Sequence, residues 1–143
     1  MRRRLRVLVV MSHPETAATT RAWIEGCGYE AAICPGFMAA STELHRTPDL
    51  LVTEVRLGAF NGLHMAMKAQ WEGIPAIVLG PDDPVLRKEA RSMGISYVTP
   101  DVNQQAMAAL VDSLVTMRLA RASQLAWLDE PEIEHTERPA AVA

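Results

Sequence analysis

Residues 48 to 63 read PDLLVTEVRLGAFNGL. The run Leu50 to Val52 has the apolar character of a strand covered on both faces. It ends on a single carboxylate, Glu54. A turn-like segment with Gly58 follows, and Asn61-Gly62 opens a helix. Three readings of the acid stand side by side: a solvated strand end, a fixed charge, or a reactive group.

The same alternation continues on both sides. Leu5 to Val10 reads as a covered strand. Pro14-Glu15 suits a helix first turn, with proline at the first position and an acid near the positive end. That helix runs to about Cys27 and stops at Gly28. Tyr29 to Cys34 reads as a short strand, 37 to 46 as a helix, and Leu50 to Val55 as the next strand. A helix over 62–72 ends near Gly73, and Ile74 to Leu79 forms a fourth strand. Asp82-Asp83-Pro84 caps a helix reaching about Met93, Ser96 to Thr99 is a fifth strand, and a long helix starts at Asn103. Five strands alternating with five helices predict a doubly wound parallel sheet with helices on both faces. In such sheets ligands sit at the carboxyl ends of the strands, the edge where Met11, Ser12, Glu54 and Gly80 fall.

The chain has 143 residues, 49% hydrophobic and 22% charged, which suits one domain with a substantial core. We expect it to span residues 1–128, with an acidic, poorly ordered tail over 129–143. No apolar run approaches the roughly 20 residues that cross a bilayer, so no membrane partner is expected. The basic start, with Arg2, Arg3, Arg4 and Arg6, lacks the cleavage site of a signal peptide. Together these features point to the cytoplasm. Cys27 and Cys34 read as reduced buried thiols, and no Cys/His spacing suggests a metal. Net charge is −3, and no basic face suggests nucleic acid.

Taken in order, RVLVVMSHPE, RTPDLLVTEVRLGAFNGL and IPAIVLGPDDPVLRKEARSMGISYV resemble the response-regulator receiver domain of bacterial two-component signalling, over about residues 5 to 120. The resemblance implies a flavodoxin-like sheet of strand order 2-1-3-4-5. It also implies five working groups: two acids and a phosphoacceptor aspartate that hold Mg²⁺, a Thr or Ser, and a Lys. Here Met11 and Ser12 stand at the acid pair, Glu54 at the phosphoacceptor and Gly80 at the hydroxyl. No lysine lies between Gly94 and the end of the chain, and Thr99 stands near the place where one belongs. Thioether sulfur is a poor ligand for Mg²⁺. A glutamate is longer than aspartate by about 1.5 Å. Phosphoryl transfer without its cationic help loses most of its electrostatic stabilisation. The expectation is therefore a degenerate receiver with no catalytic activity, metal or cofactor.

Tyr97 matches the aromatic that reports activation in this family, and is expected to pack at the sheet edge. His13, near the pocket mouth, could be a ligand or base, but a lone histidine reads more often as a helix-entry or surface residue; Trp23 and Trp71 read as core or rim packing. On the last helix, Met107, Leu110, Leu114 and Met117 form one stripe, expected to face the sheet. Val111, Val115, Leu119, Ala122 and Ala126 form a second, left for a partner. The expected function is phosphorylation-independent signalling through protein contacts, with Arg87, Lys88, Arg91, Tyr97, Val115 and Leu119 as the surface. With no output domain following, partners would be a histidine-kinase-related or regulatory protein, or a second copy in a homodimer. Two alternatives remain: a single-domain response regulator phosphorylated on Glu54, and a small-ligand binder at the strand-end crevice.

Overall fold

The computed structural model describes residues 5–128; most of the basic start and the whole acidic tail lie outside them. Seven strands and five helices follow one another. They are β1 (Arg6–Val10), α1 (Pro14–Gly26), β2 (Glu30–Cys34), α2 (Phe37–Leu44), β3 (Leu50–Glu54), β4 (Arg56–Leu57) and β5 (Phe60–Asn61). After these come α3 (Gly62–Trp71), β6 (Ala76–Leu79), α4 (Pro84–Ser92), β7 (Ser96–Val98) and α5 (Gln104–Leu128). Five of the strands form a parallel sheet in the order β2-β1-β3-β6-β7. Counting only those five, this is the order 2-1-3-4-5.

Successive strand side chains point to opposite faces, and each face buries its own set. Leu8, Val10, Leu51 and Val78 pack with Leu44, Leu63, Met65 and Ala90, beneath α2, α3 and α4. Val7, Val9, Leu50, Val52 and Ile77 pack with Ala17, Ile24, Met107 and Val111, beneath α1 and α5. Burying each large aliphatic side chain contributes roughly 1.5–3 kcal/mol, so β1 and β3 anchor both layers at once. The side chains of Asn61 and Asp83 accept from the amides of Leu63 and Val85 and so start α3 and α4.

The structure corrects several sequence expectations. The segment after β3 is no simple turn: β4 and β5 pair antiparallel, Arg56 with Asn61 and Leu57 with Phe60. Trp71 is 76% exposed and packs in no core. Cys34 is buried, whereas Cys27 is only half-buried. On α5 the sheet-facing stripe is Met107, Val111 and Val115, flanked by half-buried Leu110 and Leu114. Val115 is therefore core, not interaction surface, while Met117 is 63% exposed. A helix apolar on several sides leaves its rotational phase to long-range packing.

Two polar pins hold that phase. Arg118 donates from Nη1 to Asp49 Oδ1 at 2.9 Å and from Nε to the Gly73 carbonyl at 3.1 Å. Asp49, almost fully buried, also accepts from the Arg6 amide. Six residues earlier on α5, the Tyr29 hydroxyl donates to Asp112 Oδ1 at 2.6 Å.

Candidate functional site

Glu54 closes β3, with Thr53 and Glu54 in register with Val78 and Leu79 of β6. Its side chain, 15% exposed, reaches across to the loop that follows β1. Oε1 accepts from the Ser12 amide at 2.9 Å and from the Ser12 hydroxyl at 3.2 Å. Oε2 lies 3.1 Å from His13 Nδ1. A carboxylate offers about four acceptor positions, so most of this one is already engaged by its own chain. Glu54 thus ties the loop after β1 to the end of β3.

Met11 is 2% exposed, and its sulfur accepts from the buried Thr20 hydroxyl of α1 at 3.5 Å. The loop on the other side of Glu54 folds back just as closely. A Cβ on residue 62 would lie 1.9 Å from the Glu54 carbonyl oxygen, so only glycine fits there. The Gly62 amide donates to Val55 at 2.7 Å.

Gly80 is the second close approach. A Cβ there would lie 2.2 Å from the Tyr97 hydroxyl and 2.8 Å from Val55 Cγ1. Tyr97 therefore fills the space a side chain at position 80 would need. Its hydroxyl donates to the Pro81 carbonyl at 2.7 Å, and the Arg87 guanidinium stands 5.7 Å from its ring centre. Burial pushes the Tyr97 phenol up, with Asp83 and Asp82 adding to the shift and Arg87 opposing it. Tyr97 is thus a wall of the strand-end region as well as an edge residue.

Of the pocket residues read from the sequence, Ser12, Glu54 and Gly80 come together at the strand ends, and Met11 turns into the core. Thr99 does not join them: its hydroxyl donates to Asp101 within the turn before α5. His13, expected as a bystander, contacts Glu54 directly. Pro14 beside it restricts the backbone of His13 to the extended region, and nothing local signals the contact with Glu54. On the expected surface, Lys88 and Arg91 are exposed, Leu119 is 47% exposed, and Arg87 pairs with Asp82 at 2.9 Å.

Beside Glu54 a crevice of about 510 Å³ opens between α1 and the loop before α5. Trp23, Leu79, Pro100 and Val102 line its apolar part, with His13, Glu54 and Arg56 at its polar end.

The Mg²⁺ that the resemblance implies does not fit these residues. Of the positions of the implied ligand set only Glu54 carries a carboxylate, and it already takes up to three donors. The neighbouring sulfur is soft and turned into the core, whereas Mg²⁺ needs near-octahedral oxygen donors. Among the described residues, no three His, Cys, Asp or Glu side chains gather to hold an ion.

No family model and no curated protein matches the chain. Solved structures do. A CheY-like response regulator receiver domain protein from Methanospirillum hungatei JF-1 superposes with a TM-score of 0.76 at 16% identity, covering 83% of this chain and 99% of that one. A putative response regulator from Chloroflexus aurantiacus J-10-fl gives 0.72 at 17%, covering 80% and 99%. A response regulator receiver domain protein from Clostridium thermocellum gives 0.69 at 15%, covering 85% and 98%. At such identities the likeness is one of fold, and the fold is that of receiver domains.

Proposed function

We propose that this receiver-fold chain is a signalling module that works without phosphorylation and acts through protein contacts. One observation carries the reading: the carboxylate at the phosphoacceptor position is engaged by Ser12 and His13 of its own chain. Attack on a phosphodonor would require breaking those bonds and would release the loop after β1 from the end of β3. No lysine or metal set stands by to offset the developing charge. Glu54 acting as a standing phosphate stand-in is less favoured. Its charge is directed to the loop after β1, and position 80 carries no hydroxyl to sense it.

The contact surface is formed by Lys88 and Arg91 on α4, Tyr97 with Arg87 stacked over it, and Leu119 with Met117 on α5. Its partners are a histidine-kinase-related or regulatory protein, or a second copy of the chain. No enzymatic step is assigned.

The test is intact-mass measurement after incubation with acetyl phosphate and Mg²⁺. The expected result is an unchanged mass. A gain of one phosphoryl group that disappears in Glu54→Gln would overturn the proposal.

A further inference from the structure

The crevice beside Glu54 has a shape and a charge of its own. Thr16, Thr19 and Trp23 follow one another at helical spacing and form one stripe of α1. From Thr16 to Trp23 the stripe runs about 10 Å at 1.5 Å per residue. Val102 and Leu79 complete a mainly apolar body, and the volume of about 510 Å³ lies within the range of small-molecule sites. The Thr16 and Thr19 side chains stand exposed on this wall and make no hydrogen bond among the described residues.

The polar end is acidic. Two carboxylates, Glu15 and Glu54, line it, with one guanidinium, Arg56, and the imidazole of His13. On Glu54, Oε1 takes two donors and Oε2 takes only His13, which leaves acceptor capacity on Oε2. A ligand donor can meet that oxygen without displacing the clamp. Gly80 and Pro81 form the wall beside this end, and no Gly-rich loop or lysine lines it to invite an anion. We infer that the crevice is a binding site for a small aromatic amine. The flat body lies along Thr19, Trp23 and Val102, and the protonated nitrogen sits at Glu54 Oε2. This goes beyond the protein-contact reading, because it gives the module a chemical input at the place where receivers otherwise take a phosphoryl group. Filling the crevice would bridge the loops after β1 and β3 to the loop before α5.

The experiment titrates the full-length ¹⁵N-labelled chain with tryptamine and, separately, with indole-3-acetate, a probe of similar size and opposite charge. Tryptamine is expected to shift the amides of Thr16, Thr19, Trp23 and Val102 saturably, with Kd on the order of 1 mM for so small a molecule. Indole-3-acetate is expected to bind at least about fivefold more weakly, and Glu54→Gln to weaken tryptamine by a similar factor. Thr19→Trp, on the exposed wall of α1, is expected to block the site while leaving Glu54 and its donors in place. The inference is overturned by shifts that do not saturate or lie elsewhere, by equal binding of the two probes, or by unchanged binding in both variants. The mass measurement under acetyl phosphate reads the phosphorylation question separately, so either reading can fail alone.

Discussion

Gly80 and Tyr97 decide each other's place. With a Cβ at 80 only 2.2 Å from the tyrosine hydroxyl, no larger residue fits while Tyr97 stays inward. Gly80→Ser is expected to expel the ring, break its bond to Pro81 and lower stability by about 1–3 kcal/mol in urea unfolding. Adding Tyr97→Ala should return much of that loss, a coupling that a double-mutant cycle measures directly. Glu54→Ala leaves the Ser12 amide and hydroxyl without their acceptor. It is expected to cost about 0.5–1.5 kcal/mol and to speed amide exchange at Ser12 and His13. Sequence alone showed the losses at these positions: an acid pair gone, a hydroxyl gone. It did not show what fills them. Glycine at 80 reads as a deletion until the ring 17 positions later is seen against it, and His13 reads as a bystander until Glu54 is seen reaching back. Both relations are long-range, and periodicity carries only local information.

At the scale of elements, strands and helices were legible because their apolar runs and caps are local. β1, β3 and β6 lie where continuous β-branched and leucine runs predict them, with ends shifted by a residue or two. The β4–β5 ribbon was missed because two-residue strands have no pattern of their own. The phase of α5 does not follow from its pattern because Leu114, Val115, Met117 and Leu119 are all apolar, and the ties of Arg118 to Asp49 and of Tyr29 to Asp112 settle which side turns inward. Val115→Ala is accordingly expected to lower stability by about 1–3 kcal/mol, and Leu119→Ala to change it by less than about 0.5 kcal/mol, in the same denaturation assay. The Tyr29–Asp112 bond gives α5 a pH-dependent tie to the corner before β2. Burial, the hydrogen bond and the charge of Asp112 push the Tyr29 phenol up to about 12 from an ordinary 10.0. The unfolded chain therefore releases this proton first. Stability contributed by the pair is complete below pH 10 and declines as pH rises toward 12. A stability profile over that window should flatten in Tyr29→Phe.

On the whole-molecule scale, the receiver architecture was readable from the order and spacing of its segments, and solved receivers confirm it at the level of fold. What the surface does was less readable, because exposure depends on which neighbours the fold brings near: Trp71 sat at a helical position yet faces solvent. Among the described side chains of α5, Met117 and Leu119 are the large apolar groups left exposed. Charge substitution at both is expected to weaken association with a partner or second copy by about tenfold or more, while thermal stability changes little. Sedimentation velocity and urea unfolding together separate those effects. α5 itself has 25 residues, about 37 Å of rigid rod at 1.5 Å per residue. It is bolted near Arg118, and its last ten residues run about 15 Å past that bolt. A rod fixed off-centre is a lever: a tilt too small to disturb the packing of Val111 and Val115 sweeps the far end through a larger arc.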